Sequence, residues 1–161
     1  MSAHSNYLIK TATWRDIRSL QALEKTCFGQ DAWPFLELLG LLTIPLVVRL
    51  KASVEERMVG FIAGEARRID QAGWILTLGV LPEWRRRGIA NALLTACEQQ
   101  MGMPQVKLTV RRSNTAAISL YQKMGYSQVD IWSKYYQSGE DGLVLARTMD
   151  KNNQKAPAEH G

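Results

Sequence analysis

The sequence predicts a mixed α/β sheet of about seven strands with about four helices and one parallel crossover near its centre. Three observations carry that prediction. A nearly all-apolar run at residues 73–81 has the composition of a strand covered on both faces. It passes through a basic turn into a helical pattern in which Ile89, Leu93, Ala96, Cys97 and Gln100 share one face, stopped by Gly102 and Pro104. QVKLTVR, residues 105–111, then alternates Val106, Leu108 and Val110 with Lys107, Thr109 and Arg111 over a strand's period of two. Strand, helix and strand in direct succession make a βαβ unit, whose two strands run parallel with a right-handed crossover.

The other elements follow in chain order. Residues 7–12 read as a short strand, and 14–28 as a helix with Ile17, Leu20, Leu23 and Cys27 at spacings of three and four. Residues 31–42 are apolar and helical in character, although Gly40 and Pro45 interrupt them. Residues 46–52 and 58–67 are β-rich and precede the central strand at 73–81. A second helix over 115–124 ends at Gly125, a residue suited to a left-handed cap. Strands at 126–133 and 143–149 flank a turn at SGEDG. With 161 residues, 46% of them apolar, the chain is sized for one domain over 1–149. DKNNQKAPAEHG, residues 150–161, loses that apolar content and is expected to be a disordered tail.

Composition excludes several chemistries. The two histidines, His4 and His160, lie at the extreme ends, so Ser-His-Asp and Cys-His catalysis and His-containing metal sites have no plausible histidine, and no metal is expected. Cys27 and Cys97 are far apart and without a CxxC pattern, which reads as two reduced core thiols. The net charge of +5 suits an anionic ligand and is too small to imply nucleic acid, since the arginines cluster at a loop and not along a helix or strand face. The start of the chain has no apolar leader core, and the greasiest stretch, 35–48, is broken by Glu37 and Pro45, so neither a signal nor a membrane span is expected and the protein reads as soluble and cytoplasmic.

The stretch LTLGVLPEWRRRGIANALL, residues 76–94, carries the chemistry. A buried strand runs through Arg85, Arg86, Arg87, Gly88, Ile89 and Ala90 straight into a helix. A helix N-terminus leaves about four amide N–H groups unpaired and carries roughly half a positive charge, which suits a pyrophosphate. Gly88 and Ala90 keep the backbone approachable. The dinucleotide GxGxxG and the P-loop GxxxxGK[ST] are both absent. The alternative reading of these residues is a solvated basic turn opening a core helix.

RRRGIA resembles the [QR]-x-x-G-x-[GA] acetyl-CoA loop of the GNAT acetyltransferase superfamily, with a strand before it and a helix after it. VRRSNTAAISLYQKMGY, residues 110–126, is similar to that family's V-x-x-S-N-x-x-A-x-x-L-Y-x-x-x-G-[FY] segment and follows at the family's separation. LTLGVLPEWRRRGIA and the later Lys134, Tyr135 and Tyr136 look most like the N-terminal protein acetyltransferases, both the bacterial ribosomal-protein-alanine and the eukaryotic N-alpha types. The resemblance covers residues 7–149 and is weakest over 28–45.

The resemblance implies a GNAT fold with a splayed parallel strand pair, acetyl-CoA as cosubstrate, and direct acetyl transfer to an amine. It places the pantetheine arm against Leu78, Gly79 and Val80, with the Leu78 N–H facing the thioester carbonyl. One such donor is typically worth ~3 kcal/mol of barrier. It assigns the pyrophosphate to main-chain N–H groups of Arg86, Arg87, Gly88, Ile89, Ala90 and Asn91, with the side chains of Arg85 to Arg87 adding charge. Asn114 is a helix N-cap by position and, by likeness, also a contact of the cofactor arm. Tyr121 lies two helical turns further on the same face and takes the family position of a general acid that returns a proton to the departing thiolate. Tyr135 and Tyr136 fall near a strand-strand turn that in the relatives helps wall a peptide groove. Read without the family, they are an exposed hairpin pair.

One expected part is missing. Where relatives place a basic glutamate or histidine on the second parallel strand this chain has Thr109, and where another branch places a glutamate in the central strand it has Trp74. Glu65, Asp31 and Glu37 are candidates by location only. A peptide α-amine, with a pKa of about 7.7 to 8.0, loses less than ~1 kcal/mol by attacking without a base, whereas a lysine near 10.4 loses about 4 kcal/mol. The acceptor is therefore expected to be the N-terminal α-amine of a protein or peptide. The alternatives are a small-molecule amine acetyltransferase, decided by the 28–45 segment, and a CoA-binding module without turnover, which Tyr121 argues against. The quaternary state is open between monomer and homodimer.

Overall fold

The computed structural model describes residues 6–150. The expected tail at 150–161 falls, apart from Asp150, outside the described residues, as do both histidines. Seven strands form one mixed sheet in the order β1-β2-β3-β4-β5-β7-β6, with β1 at Leu8–Thr11, β2 at Val47–Val54, β3 at Arg57–Arg67, β4 at Ala72–Val80, β5 at Gln105–Arg111, β6 at Ser127–Trp132 and β7 at Gly142–Thr148. The helices are α1 at Ile17–Phe28, α2 at Phe35–Thr43, α3 at Ile89–Met101 and α4 at Thr115–Lys123. The run at 73–81 is the central strand, and β4 and β5 are parallel over Ala72↔Gln105, Gly73↔Val106 and Trp74↔Lys107. No helix among the described residues is long and apolar enough to cross a membrane.

The described residues form two compact units: one holds those up to Glu65 together with Leu76–Met101, the other Ala66–Ile75 together with those from Gly102 onward. In the first, α1 and α2 bury Leu20, Leu23, Leu38, Leu41 and Leu42, and β3 buries Val59, Phe61, Ile62 and Ala63. Each of these side chains other than Ala63 contributes roughly 1.5–3 kcal/mol on burial. Gly60 lets α3 lie close on β3, because a Cβ there would stand 3.1 Å from Leu93 and 3.2 Å from Ile89. In the second unit Val106, Leu108 and Val110 are buried on β5, and Leu143 to Ala146 on β7.

Some boundaries differ from the sequence reading. The helix expected from residue 14 begins as a 3-10 turn, Trp14–Asp16, in which the Thr13 N–H donates to Asp16 Oδ2 at 2.8 Å, and the α-helix proper starts at Ile17. The helix expected over 31–42 starts only at Phe35, because Pro34 disfavours helical backbone at the residue before it. Residues 29–31 form their own 3-10 turn. Cys97 is the buried core thiol expected, but Cys27 is only part-buried.

Candidate active site

In the first unit, α1 and the end of β4 are packed without spare room. A Cβ at Gly79 would meet Leu23 at 3.1 Å, Cys27 Sγ at 3.2 Å and Phe28 at 3.3 Å, so glycine is what lets the helix reach the strand here. Leu81 N–H donates to Val59 C=O at 2.9 Å, holding β4 to β3 where the strand ends. A 3-10 turn, Pro82–Trp84, then leads to the basic loop.

The three arginines divide by what they touch. Arg85 Nε donates back to Val80 C=O at 2.9 Å, an oxygen that Cys27 Sγ also approaches at 3.5 Å, so Arg85 braces the loop onto the strand end. Arg87 donates to Glu83 C=O at 3.2 Å and lies over the Trp84 ring at 4.6 Å. Arg86 is exposed and left-handed, with φ of 62°. Gly88 follows at φ +80°, with open space where a side chain would be. In α3 the Ala92 N–H donates to Gly88 C=O at 3.0 Å, so the amides of Ile89, Ala90 and Asn91 precede the helix's first bond to its own carbonyls. Ile89 is buried and anchors the turn from inside, while Gly88 and Asn91 are exposed.

In the second unit, Asn114 is the N-cap of α4, its Oδ1 accepting from the Ala117 N–H at 3.1 Å. Tyr121 is buried, edge-on to Tyr126 at 5.8 Å. Burial, with Tyr136 adding to it, pushes its phenol up to about 12, so it keeps its proton throughout the neutral range. Tyr135 is exposed, and Tyr136 lies under the Arg111 guanidinium at 4.2 Å. The turn carrying them is latched to the start of α4. Glu140 accepts from Arg111 at 2.8 Å and from the Ser113 N–H at 2.8 Å, and these bonds hold its carboxyl down to about 2. Asp141 accepts from the Lys134 N–H at 3.0 Å and pairs with Arg112 at 3.4 Å.

Comparison with known proteins shows the family. The Acetyltransferase (GNAT) family matches residues 14–126. The catalytic subunit NAA10 of the N-terminal acetyltransferase A complex of Arabidopsis thaliana is 32% identical over 148 residues, covering 88% of this chain and 77% of the relative. An N-alpha-acetyltransferase of Sulfurisphaera tokodaii is 40% identical over 157 residues, covering 89% of this chain and 93% of the relative. The chain belongs to the GNAT acetyltransferase family. The crystal structure of the ribosomal-protein-S18-alanine N-acetyltransferase from Escherichia coli superposes with a TM-score of 0.81 at 21% identity, over 96% of this chain and 98% of that one. At that identity the match speaks for the GNAT fold alone.

Two features of this acetyltransferase were not foreseen from the sequence. Glu24, on α1, is a buried carboxyl whose Oε1 accepts from Thr77 Oγ1 at 2.7 Å, while Oε2 has no hydrogen-bond partner among the described residues. Its place in the Leu20–Glu24–Cys27 stripe, at spacings of four and three, was the available signal. In the second unit, tryptophans that look scattered in the sequence come together: Trp74 stacks on Trp132 at 5.7 Å, Trp132 meets Tyr135 at 5.2 Å, and Tyr135 meets Tyr136 at 5.0 Å. Arg67 and Lys107 lie over the Trp74 ring at 5.2 and 5.8 Å. The base positions carry no titratable group: Thr109 lies on β5 opposite Val144, and Trp74 heads the aromatic row. Of the carboxylates named as candidates, Asp31 and Glu37 are exposed and Glu65 is half-buried near the end of β3.

Proposed function

We propose that the chain transfers acetyl from acetyl-CoA directly to an amine, and that its acceptor is the N-terminal α-amine of a protein or peptide. As a GNAT family member it is an acetyltransferase, and the proposal concerns which residues do the work and on what. The observation that carries it is the turn at 85–91: an arginine-bearing loop with open space at Gly88, leading into the first-turn amides of α3, which precede the helix's first bond from Ala92 N–H to Gly88 C=O. That arrangement fits a diphosphate, since the amides donate, the helix end is positive, and no side chain fills the approach.

Acetyl-CoA brings an acetyl group already activated as a thioester. The chain's own contributions follow from residue chemistry. Main-chain N–H groups from Arg86 to Asn91 grip the diphosphate, and Arg86 adds charge. The edge of β4 at Leu78, Gly79 and Val80 lines the arm, with the Leu78 N–H as the donor for charge developing on the carbonyl oxygen. Arg85 Nε donates to the Val80 carbonyl and so braces the loop onto the end of that edge. Asn114 caps α4 and contacts the arm. Tyr121, kept protonated by burial, gives its proton to the departing sulfur. Tyr135 and Tyr136 line the acceptor side. With Thr109 and Trp74 where a base would stand, an α-amine that is partly neutral near pH 7.4 is the acceptor that such a site can use.

Incubation with acetyl-CoA and peptides, following free thiol, tests the reading. Thiol release is expected with a free N-terminus, and much less with an N-blocked peptide carrying an internal lysine. Equal rates with the two would refute the α-amine assignment, and release with small amines alone would favour the small-molecule reading.

A further inference from the structure

Glu24 has no part in the chemistry above, yet it is 1% exposed on the inner face of α1, beside Leu20 and Leu23. A buried carboxyl is retained only where its neighbours satisfy it. Here a side chain and a backbone group from two other segments act on it, although Oε2 itself has no hydrogen-bond partner among the described residues. Thr77 on β4 donates its hydroxyl at 2.7 Å, and the backbone N–H of Trp33 is directed at the same carboxyl. Burial outweighs both donors and raises the Glu24 carboxyl above the usual carboxylate range, which favours the neutral acid. No cation is among the groups acting on it. The carboxyl therefore works as a tie between two other segments of the chain.

The pieces it ties are informative. Thr77 immediately precedes Leu78, and Gly79, next along, receives Leu23, Cys27 and Phe28 of the same helix. Trp33 closes the irregular segment between α1 and α2, ahead of Pro34 and the first turn of α2. That segment belongs to the 28–45 stretch on which the choice between a peptide and a small amine rests. We propose that Glu24 is a positioning residue for the acceptor side of the site, fixing the segment between α1 and α2 against β4. This inference rests on the acetyltransferase reading above.

The test compares Glu24→Gln, Glu24→Ala and Thr77→Val in the full chain. Glutamine keeps an oxygen that can accept from both donors and is isosteric with the neutral acid, so E24Q is expected to stay within about threefold of the parent in all constants. E24A is expected to raise KM for the α-amine peptide about tenfold or more while KM for acetyl-CoA stays within about twofold. Thr77→Val should move in the same direction by a smaller factor. Hydrogen exchange at the Trp33 amide supplies a readout that needs no turnover: faster in E24A and T77V, unchanged in E24Q. A residue that merely stabilised the fold would lower the melting temperature and leave the split between the two KM values flat. Equal changes in both KM values, or unaltered Trp33 exchange in E24A, overturns the proposal. If E24A does not fold, T77V decides it by the same two measurements. A parent chain that acetylates no α-amine would sink the acceptor assignment instead, and Trp33 exchange would still report on the tie.

Discussion

At the scale of single residues, the arrangement separates groups that must keep a proton from groups that must lose one. Tyr121, pushed up to about 12, keeps its proton across the working range, and if it is the proposed general acid, Tyr121→Phe should lower kcat by roughly 10²–10⁴ while KM for acetyl-CoA changes little. Loss of acetyl-CoA affinity with kcat intact would show instead that the phenol is a packing group. Glu140 is the opposite case. Its carboxyl is lowered from 4.5 to about 2 by Ser113 and Arg111, so the latch it makes is complete above the ordinary carboxylate pKa and fails as pH falls toward 2. Amide exchange at Ser113 should therefore stay protected well into acid in the parent and lose that pH dependence in Glu140→Gln. Gly88 sits at φ +80° in open space, so Gly88→Ala imposes about 1–2 kcal/mol of backbone strain and places a methyl where the diphosphate is read to lie. KM for acetyl-CoA should rise more in this variant than in Arg86→Ala.

At the scale of elements, the hairpin between β2 and β3 turns through Glu55 at φ 47° and Glu56 at φ 67°, both left-handed and both of a residue type that resists it. Two-residue turns of this kind favour Asn-Gly. The double change Glu55→Asn, Glu56→Gly should raise stability by about 1 kcal/mol, read as a higher melting temperature with kcat unchanged. The elements also show what local pattern can and cannot disclose. β5 has the bounds its alternation predicts, because Val106, Leu108 and Val110 face a core while their neighbours do not. α4 begins where Asn114 can cap it and stops before Gly125 at φ +93°. The start of α2 was misplaced because the apolar pattern runs on through Ala32 and Trp33, and the constraint Pro34 sets on its predecessor outranks pattern.

At the scale of the whole molecule, the succession of elements, the parallel pair and the loop before α3 were legible from period changes along the chain, whereas the place of β7 between β5 and β6 was not. The row Trp74, Trp132, Tyr135 and Tyr136 was not, since it depends on strands far apart in sequence. Glu24 was hidden for a related reason: a carboxylate on a helix reads as a surface group until its partners on other segments are known. A whole-enzyme prediction follows from the missing base. If solvent takes the acceptor's proton, the rate with an α-amine peptide should climb with pH and level off near that amine's own pKa, about 7.7 to 8.0, and should shift when peptides with different N-terminal pKa values are compared. A plateau fixed at one pH for all peptides would reveal a titrating group of the protein.

Gly142 sets a rule for anyone who would redesign this enzyme. A methyl group there would lie 2.8 Å from Thr109 Cγ2 and 3.1 Å from the Tyr135 ring, so positions 109, 135 and 142 share one allotment of volume. Grafting a glutamate or histidine onto position 109 draws on that same allotment. Mutational libraries should vary the three together, because single replacements there will report crowding before they report chemistry.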